Sequence, residues 1–538
     1  MSRSKDGCIT CRIRRVKCDE KKPSCQKCLT SKRKCDGYLS PDVRMSRREL
    51  AAAIKMTGSS MTRALSQIPS RLDLQTRELS PGDARLFEFF RRVIVPDTTN
   101  NLPSNFWQRD VMQLAHTEPA FWHATVALGR LHKCTWTEVE ASGNRATHET
   151  VERQATKHYI QAMSLAKRLD SLPKYVILSI VLSATAGMLG RWNDMQAHVL
   201  SGLRILVAEA PRLDRVKMLG AAILRMDLQA MTAYKDVSQP YPYHTSRALF
   251  DVEAFLLTPC VPGQSIENVG SDLKAIGRAF FLLDDGLLSG FVPYGPWLTK
   301  VEGVRRRLVA WERRMAALEA SLLPSQADEQ AILCLRLGHV MLRTLSTAGP
   351  PGPESRFDRL LGFWEYAVNL AASILARIKQ RSQRSAFPGL SLETGILLPL
   401  QVITHRCRHH SLRHAALKIL AESNTVESFW RSDVTFKMQQ AVVAVEEESV
   451  GPVSAPPFTP TLVDMSTPGI AWDNWSQDGF CPATALHWRD QPMIPEMARL
   501  KDVQSTTSFE KRCVDLSLVM CGENKEPNGG LRKIRVTY

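Results

Sequence analysis

Six cysteines lie within the first 35 residues, with the spacing C-x2-C-x6-C-x6-C-x2-C-x6-C. They are Cys8, Cys11, Cys18, Cys25, Cys28 and Cys35. Zinc takes four tetrahedral ligands and binds thiolates readily, so six cysteines fit two ions only if two thiolates are shared. The repeated spacing makes Cys8 and Cys25 the natural shared pair. One zinc would take Cys8, Cys11, Cys18 and Cys25, and the other Cys25, Cys28, Cys35 and Cys8.

A disulfide framework is the alternative for a cysteine-rich segment. The chain opens MSRSKDGC, without an apolar stretch or a cleavage site, so we expect no secretory signal and no oxidising compartment. The other seven of the 13 cysteines are scattered singly along the chain. Both observations favour metal binding over disulfides.

Basic residues fill the gaps between the cysteines. Residues 1–50 contain 15 Lys and Arg but only 6 Asp and Glu, so more than half of the net charge of +16 lies in under a tenth of the chain. A concentrated positive charge is what binding to the phosphates of double-stranded DNA requires.

The segment from Gly7 to Asp19, with Lys22-Pro23-Ser24-Cys25-Gln26-Lys27-Cys28 and Cys35, resembles the fungal binuclear zinc cluster family of transcription regulators. The resemblance implies two bound Zn(II) ions and two short helices, the first spanning roughly Cys11 to Lys17 and entering the major groove. It places base readout on Arg14 and Arg15, since arginine can donate two hydrogen bonds to guanine. The expected phosphate partners are Arg12, Lys17, Lys21, Lys22 and Lys27, together with Lys32, Arg33 and Lys34.

The chain that carries this cluster is predicted to be mostly all-α. We expect a zinc cluster module over residues 1–40, a flexible linker over 41–79 and a large helical domain over 80–450, followed by a largely irregular tail over 451–538. The linker has two short candidate helices, around Glu49 to Lys55 and Met61 to Gln67, but no three consecutive apolar heptads. A homodimer is therefore possible without a clear coiled coil.

Helical patterning begins at Ser80, where Ser80-Pro81-Gly82-Asp83 predicts a capped helix start. Leu86, Phe89, Phe90 and Val93 would form its buried face. Stretches 106–132, 190–206 and 399–430 resemble the helical regulatory region that accompanies the cluster in many of these fungal regulators. The uncharged stretch from Tyr175 to Gly190 is too short to span a bilayer, so we expect a buried helix and no membrane association.

Four histidines, His405, His409, His410 and His414, have spacings that could hold a metal ion on one helix. Arg406, Arg408 and Arg413 crowd the same turns, and no carboxylate is close in sequence. We therefore expect no metal there. Common phosphate-binding and hydrolase motifs are absent from the sequence, so no enzymatic activity is expected.

Residues 438–488 contain no Lys or Arg, while acids including Glu446, Glu447, Glu448, Asp473 and Asp478 accumulate beside Trp472, Trp475 and Phe480. This composition resembles activation segments that fold onto coactivators, although an ordinary acidic loop would look similar. Two functions are open at this point. One is a nuclear regulator of RNA polymerase II transcription that reads a short G-rich, CGG-like element. The other is an enzyme or scaffold whose helical domain is the active part, with the cluster as a nucleic-acid tether.

Overall fold

A computed structural model describes most of the chain. The described residues are 8–14, 16–21, 25–31, 35, 80–140, 145–209, 216–232, 241–257, 265–321, 326–382, 389–464, 493–508, 512–521 and 531–537. The chain divides into two compact units, Met1–Leu79 and Ser80–Tyr538. The predicted linker residues 41–79, with both candidate helices, lie outside the described residues.

The N-terminal unit has two short helices in its described part, α1 (Ile9–Arg14) and α2 (Gln26–Thr30). Its buried cluster consists of five cysteines, Cys8, Cys11, Cys18, Cys25 and Cys28. Val16 and Cys35 pack against them and are partly exposed. The described part of this unit therefore packs around its cysteines.

The second unit is mostly helical, as predicted. Its first helices are α3 (Pro81–Phe89), α4 (Val95–Asn101), α5 (Met112–Thr117), α6 (Pro119–Glu140), α7 (Arg145–Ala166), α8 (Leu172–Met188), α9 (Trp192–Glu209) and α10 (Val216–Thr232). They are followed by α11 (Tyr243–Ala248), α12 (Val252–Leu257), α13 (Ile266–Leu288), α14 (Tyr294–Ser321), α15 (Gln326–Thr347), α16 (Leu361–Ser382), α17 (Leu397–Arg406), α18 (His410–Ser423) and α19 (Ser432–Glu447). Short π-type segments, Phe90–Ile94 and Phe106–Val111, precede α4 and α5.

The predicted start of the helical unit is confirmed. The Ser80 hydroxyl accepts a hydrogen bond from the Asp83 N–H, and Pro81 occupies the first helical turn. Leu86 and Phe90 are buried as expected, whereas Phe89 is only half-buried and Ile94 rather than Val93 is buried on the next turn. The π-type turn explains this shift, since it places an extra residue in the turn and rotates the following side chains.

Helix α8 confirms the prediction of a buried helix for the uncharged stretch. Its residues from Val176 to Gly187 are buried within the helical unit. Among the described residues, the helices are all too short or too polar to cross a membrane.

The C-terminal segment is more ordered than predicted. Strands β4 (Leu500–Ser508), β5 (Cys513–Met520) and β6 (Leu531–Thr537) form an antiparallel sheet in sequence order. Its buried residues, including Leu500, Val514, Leu516 and Leu518, pack against α19. The expectation of a largely irregular tail therefore does not hold for these three strands, because alternate side chains of β5 supply an apolar face. A second small sheet joins β1 (Gly389–Ser391), β2 (Thr425–Glu427) and β3 (Trp430–Arg431).

A buried charge network joins α18, α19 and β4. Arg408 and Arg413 both donate to the Glu446 carboxylate, and all three side chains are fully buried. Glu446 also accepts the Leu500 N–H at 2.5 Å, while Arg408 and Arg406 donate to Glu354. Burial raises the pKa of Glu446, but the two arginine charges outweigh burial and leave it below its usual value. Glu446 is thus a structural residue and not part of an exposed acidic segment.

Glu446→Gln should destabilise the helical unit strongly. The substitution leaves two buried guanidinium groups without their shared counter-charge, and breaking a buried pair costs about 3–5 kcal/mol. Denaturant unfolding followed by circular dichroism measures the loss. Because the folded pKa of Glu446 is lowered, its contribution is present at neutral pH and disappears as the pH falls below the usual Glu range.

Glu448→Gln is the matched control, since Glu448 is 67% exposed and pairs with the exposed Arg532. A surface pair of this kind contributes only about 0–1 kcal/mol. Equal destabilisation by the two substitutions would contradict the assigned role of Glu446.

Candidate metal centre and nucleic-acid interface

The first cysteine of each C-x2-C pair caps a helix. The Cys11 N–H donates to the Cys8 sulfur at 3.4 Å, and the Cys28 N–H donates to the Cys25 sulfur at 3.3 Å. A helix N-terminus carries unpaired N–H groups and partial positive charge, which favour a thiolate at that position. This capping explains why α1 begins at Ile9, two residues before the expected start at Cys11.

The six sulfurs form two overlapping groups of four. One group contains Cys8, Cys11, Cys18 and Cys25, and the other contains Cys8, Cys25, Cys28 and Cys35. Within each group the ligand atoms lie within 4.8 Å of one another. Cys8 and Cys25 belong to both groups, as the ligand assignment from spacing expects. That assignment stays a prediction, and the observed grouping supports it.

The distances between sulfurs fit zinc and not disulfides. Cys8 and Cys25 are 3.6 Å apart, Cys11 and Cys25 are 3.7 Å apart, and Cys8 and Cys28 are 3.8 Å apart. Tetrahedral zinc with Zn–S bonds of about 2.3 Å separates its sulfurs by about 3.8 Å. A disulfide would need about 2.05 Å. None of the six cysteines forms a disulfide in the structure.

Without metal, three thiols of the cluster resist ionisation. Burial raises the pKa of the Cys8, Cys11 and Cys25 thiols, that of Cys25 to about 12. Zinc binds thiolates, so loading the site must release the protons that these three sulfurs hold at neutral pH without metal. The bound metal would supply the positive charge that allows six sulfurs to ionise side by side.

Asp19 organises the connection between the two halves of the cluster. Its two carboxylate oxygens accept the Gln26 N–H at 3.0 Å and the Lys27 N–H at 3.1 Å. Desolvation raises the pKa of Asp19, but these hydrogen bonds together outweigh it and leave the pKa below its usual value. Asp19 belongs to the segment that resembles the family, but no role was predicted for it from the sequence. An acid seven residues before a helix start would have been the signal.

Arg14, one of the two expected base readers, lies at the end of α1 and is half-buried. Its guanidinium donates to the Ser31 hydroxyl at 2.9 Å, and Ser31 in turn donates to the Lys27 carbonyl at 2.8 Å. This bond joins the end of α1 to the end of α2. Ser31 is a second residue that the sequence analysis missed, because its partner is 17 residues away.

The other expected DNA contacts are placed as follows. Lys17, Lys21 and Lys27 are exposed. Arg12 lies in α1, but its side chain is outside the described part, and Arg15, Lys22 and residues 32–34 are outside the described residues. Besides Arg14, the structure therefore places three of the nine other predicted contacts on an accessible surface.

Two family models match the chain. The fungal Zn(2)-Cys(6) binuclear cluster domain matches residues 6–44, and the fungal specific transcription factor domain matches residues 85–173. The chain thus contains a fungal Zn(2)-Cys(6) binuclear cluster domain and a fungal specific transcription factor domain. The second match includes the resembling stretch 106–132, while stretches 190–206 and 399–430 lie outside the matched residues. The protein accordingly has a two-zinc, DNA-binding cluster and a helical regulatory region.

The curated relatives that match the chain are also fungal transcription regulators. The aspercryptin biosynthesis cluster-specific transcription regulator atnN of Emericella nidulans is 23% identical over 548 residues, covering 84% of this chain and 88% of the relative. The transcription regulator lscL of Purpureocillium lilacinum is 31% identical over 211 residues, covering 37% of this chain and 48% of that protein. White-opaque regulator 2 of Candida albicans is 58% identical over 36 residues, which are 7% of this chain and 8% of that protein. No solved structure matches the chain.

A strong chelator should remove two zinc ions from the intact protein and abolish DNA binding. The N-terminal unit depends on the metal, so it should unfold. The helical unit should keep its structure. The ellipticity at 222 nm should then change little, because α1 and α2 contribute only 6 and 5 helical residues. Released zinc measured with a colorimetric indicator, with ellipticity at 222 nm recorded in parallel, checks this expectation.

Cys25→Ser should reduce the tightly bound zinc below two ions, since Cys25 belongs to both ligand groups. Cys134→Ser, a cysteine of α6, is the matched control and should retain two. Loss of the helical signal together with zinc, or full zinc retention in Cys25→Ser, would contradict the assignment.

Proposed function

We propose that the zinc cluster reads a short G-rich, CGG-like element in the major groove of double-stranded DNA and thereby regulates RNA polymerase II transcription in the nucleus. The observation that supports it most is the placement of basic α1 directly against the cysteine groups. Cys8 and Cys11 hold one end of this helix, and Arg14 lies at the other. A metal-held helix presents its arginines in a fixed direction, which base readout requires.

The proposed contacts fall into two classes. Arg14 and Arg15 read base edges. To do so, Arg14 would give up its hydrogen bond to Ser31 and donate to guanine instead. Lys17, Lys21 and Lys27 bind phosphates, and by sequence Arg12 and Lys22 join them. The cationic surface brings the protein to DNA of any sequence, and the arginine pair then selects the site.

Coactivator binding is proposed for the acidic, aromatic residues 465–488 only. The preceding part of the acidic stretch is packed into the helical unit, since Glu446 is buried and Val463 packs against the apolar core. We also infer that DNA binding does not require a symmetric dimer, because residues 41–79 lack a coiled-coil pattern. The mass of the DNA complex tests this inference, and a strictly dimeric complex would contradict it.

Arg14→Ala and Arg15→Ala should each reduce sequence selectivity while zinc stays bound. A bidentate arginine–guanine contact contributes about 1–3 kcal/mol of discrimination, so binding to the selected site should approach binding to unrelated DNA. Selection of sites from random DNA by the full chain, followed by competition binding, measures the effect. Genes of a biosynthesis cluster are the first promoters to test, given the name of the relative matched over most of its length.

Ser31→Ala is the control for Arg14, because it removes the same intramolecular hydrogen bond and keeps the arginine. It should leave the preferred sequence unchanged. If both arginine variants weaken binding equally on every DNA sequence, base readout by this pair is wrong, and the cluster is a tether for a helical unit with another activity.

Lys17→Gln should weaken binding to all DNA sequences alike. One lost phosphate contact should reduce the slope of log affinity against log salt by about 0.9. Affinities measured over a series of salt concentrations test this, with the exposed Lys133→Gln of the helical unit as the control. A changed sequence preference in Lys17→Gln would contradict its role as a phosphate partner.

A further inference from the structure

Two histidines one turn apart on α18 face a glutamate at the end of α19. His410 Nδ1 lies 3.3 Å from Glu447 Oε1, and His414 Nε2 lies 3.2 Å from the same oxygen and 3.0 Å from Oε2. The two imidazole rings are 4.1 Å apart between centroids. Both rings therefore direct a nitrogen at one carboxylate.

These separations match the edges of a metal coordination shell. Zinc bonds of about 2.0–2.1 Å to nitrogen and oxygen place tetrahedral ligand atoms about 3.3–3.4 Å apart. One ligand atom from each of the three residues lies within 4.8 Å of the other two. Two imidazoles and a carboxylate form a donor set that suits Zn²⁺ and its first-row neighbours.

The arginines that argued against a metal here point elsewhere. Arg408 and Arg413 are fully buried and donate to Glu446, and Arg408 also reaches Glu354. Arg406 donates to Glu354 as well. Their charges are thus paired within the core, whereas His410 and His414 lie on the outer side of α18. The missing carboxylate is supplied by α19, at a separation of 33 residues from His414.

The group is open to solvent on one side. The side chains of Glu447, His410 and His414 are 18%, 23% and 45% exposed. An ion can therefore enter without unfolding, and a water molecule can complete a four-ligand shell. Such an ion would join α18 to α19 beside the Glu446 network that holds β4.

We propose that His410, His414 and Glu447 bind a divalent transition metal ion of the zinc class, separately from the cysteine cluster. The site contains no sulfur and has three protein ligands, so its affinity is below that of the cluster. It connects the stability of the regulatory unit to the availability of the metal, because binding to the folded state alone stabilises that state.

The test uses the full-length protein in reducing buffer, dialysed until only the tightly held zinc of the cluster is retained. Equilibrium dialysis against micromolar ZnCl₂ should then add one zinc per chain and raise the melting temperature of the helical unit. The double variant His410→Gln and His414→Gln should take up no additional zinc and show no rise. Glu447→Gln should weaken the uptake at least tenfold.

Lys418→Gln is the matched control, since Lys418 is exposed on α18 one turn after His414. It should bind the additional zinc like the wild type. His414→Gln alone, at the most exposed ligand, keeps the test valid if the double variant is misfolded by circular dichroism. Co²⁺ gives a second readout, because the new site should show visible absorption without the thiolate charge-transfer band. No additional zinc in the wild type, or equal uptake by the His414→Gln variant, would overturn the proposal.

Discussion

Zinc–thiolate bonding is the interaction on which the DNA-binding unit depends. A segment of under 40 residues has too little apolar area for a stable core, and its described buried cluster consists of cysteines. Cys8 and Cys25 each cap a helix and belong to both ligand groups. The direction of α1 and α2 is therefore coupled to the metal geometry. A helix that must present arginines to a groove gains its rigidity from the ions and not from packing.

The helical unit is specified differently. Its described part has large apolar clusters that contain fully buried tryptophans such as Trp311 and Trp364, and these supply most of the driving force. Buried ion pairs rarely add net stability over apolar residues. The Glu446 network is better understood as selecting which elements meet, since one carboxylate accepts bonds from Arg408, Arg413 and the first residue of β4. Its replacement by an apolar group would remove that selection.

What the sequence predicts well is local in the chain. The six cysteines lie within 28 positions of one another, so their spacing alone indicates shared ligands, and the amphipathic pattern after Ser80 indicates the helical unit. The sheet after residue 500 was missed although β5 alternates, because one short alternating run does not show what its apolar face packs against. Asp19 and Ser31 were missed for a related reason. A polar residue in a basic segment is interpreted as solvated until its distant partner is known.

The histidines of α18 show that sequence neighbours can also suggest an interaction that the fold does not contain. Arg413 directly precedes His414, yet consecutive residues on a helix point about 100° apart, so one reaches the buried Glu446 while the other faces Glu447. Repulsion inferred from neighbours in sequence therefore does not describe neighbours in space. In both ligand sets the first donors are a pair spaced i and i+3 or i+4, which begins at the cap of a helix in the cluster and lies within α18 for the histidines. The cluster finds its remaining donors close along the chain, whereas the histidines need a carboxylate that only the packing of α19 brings to them.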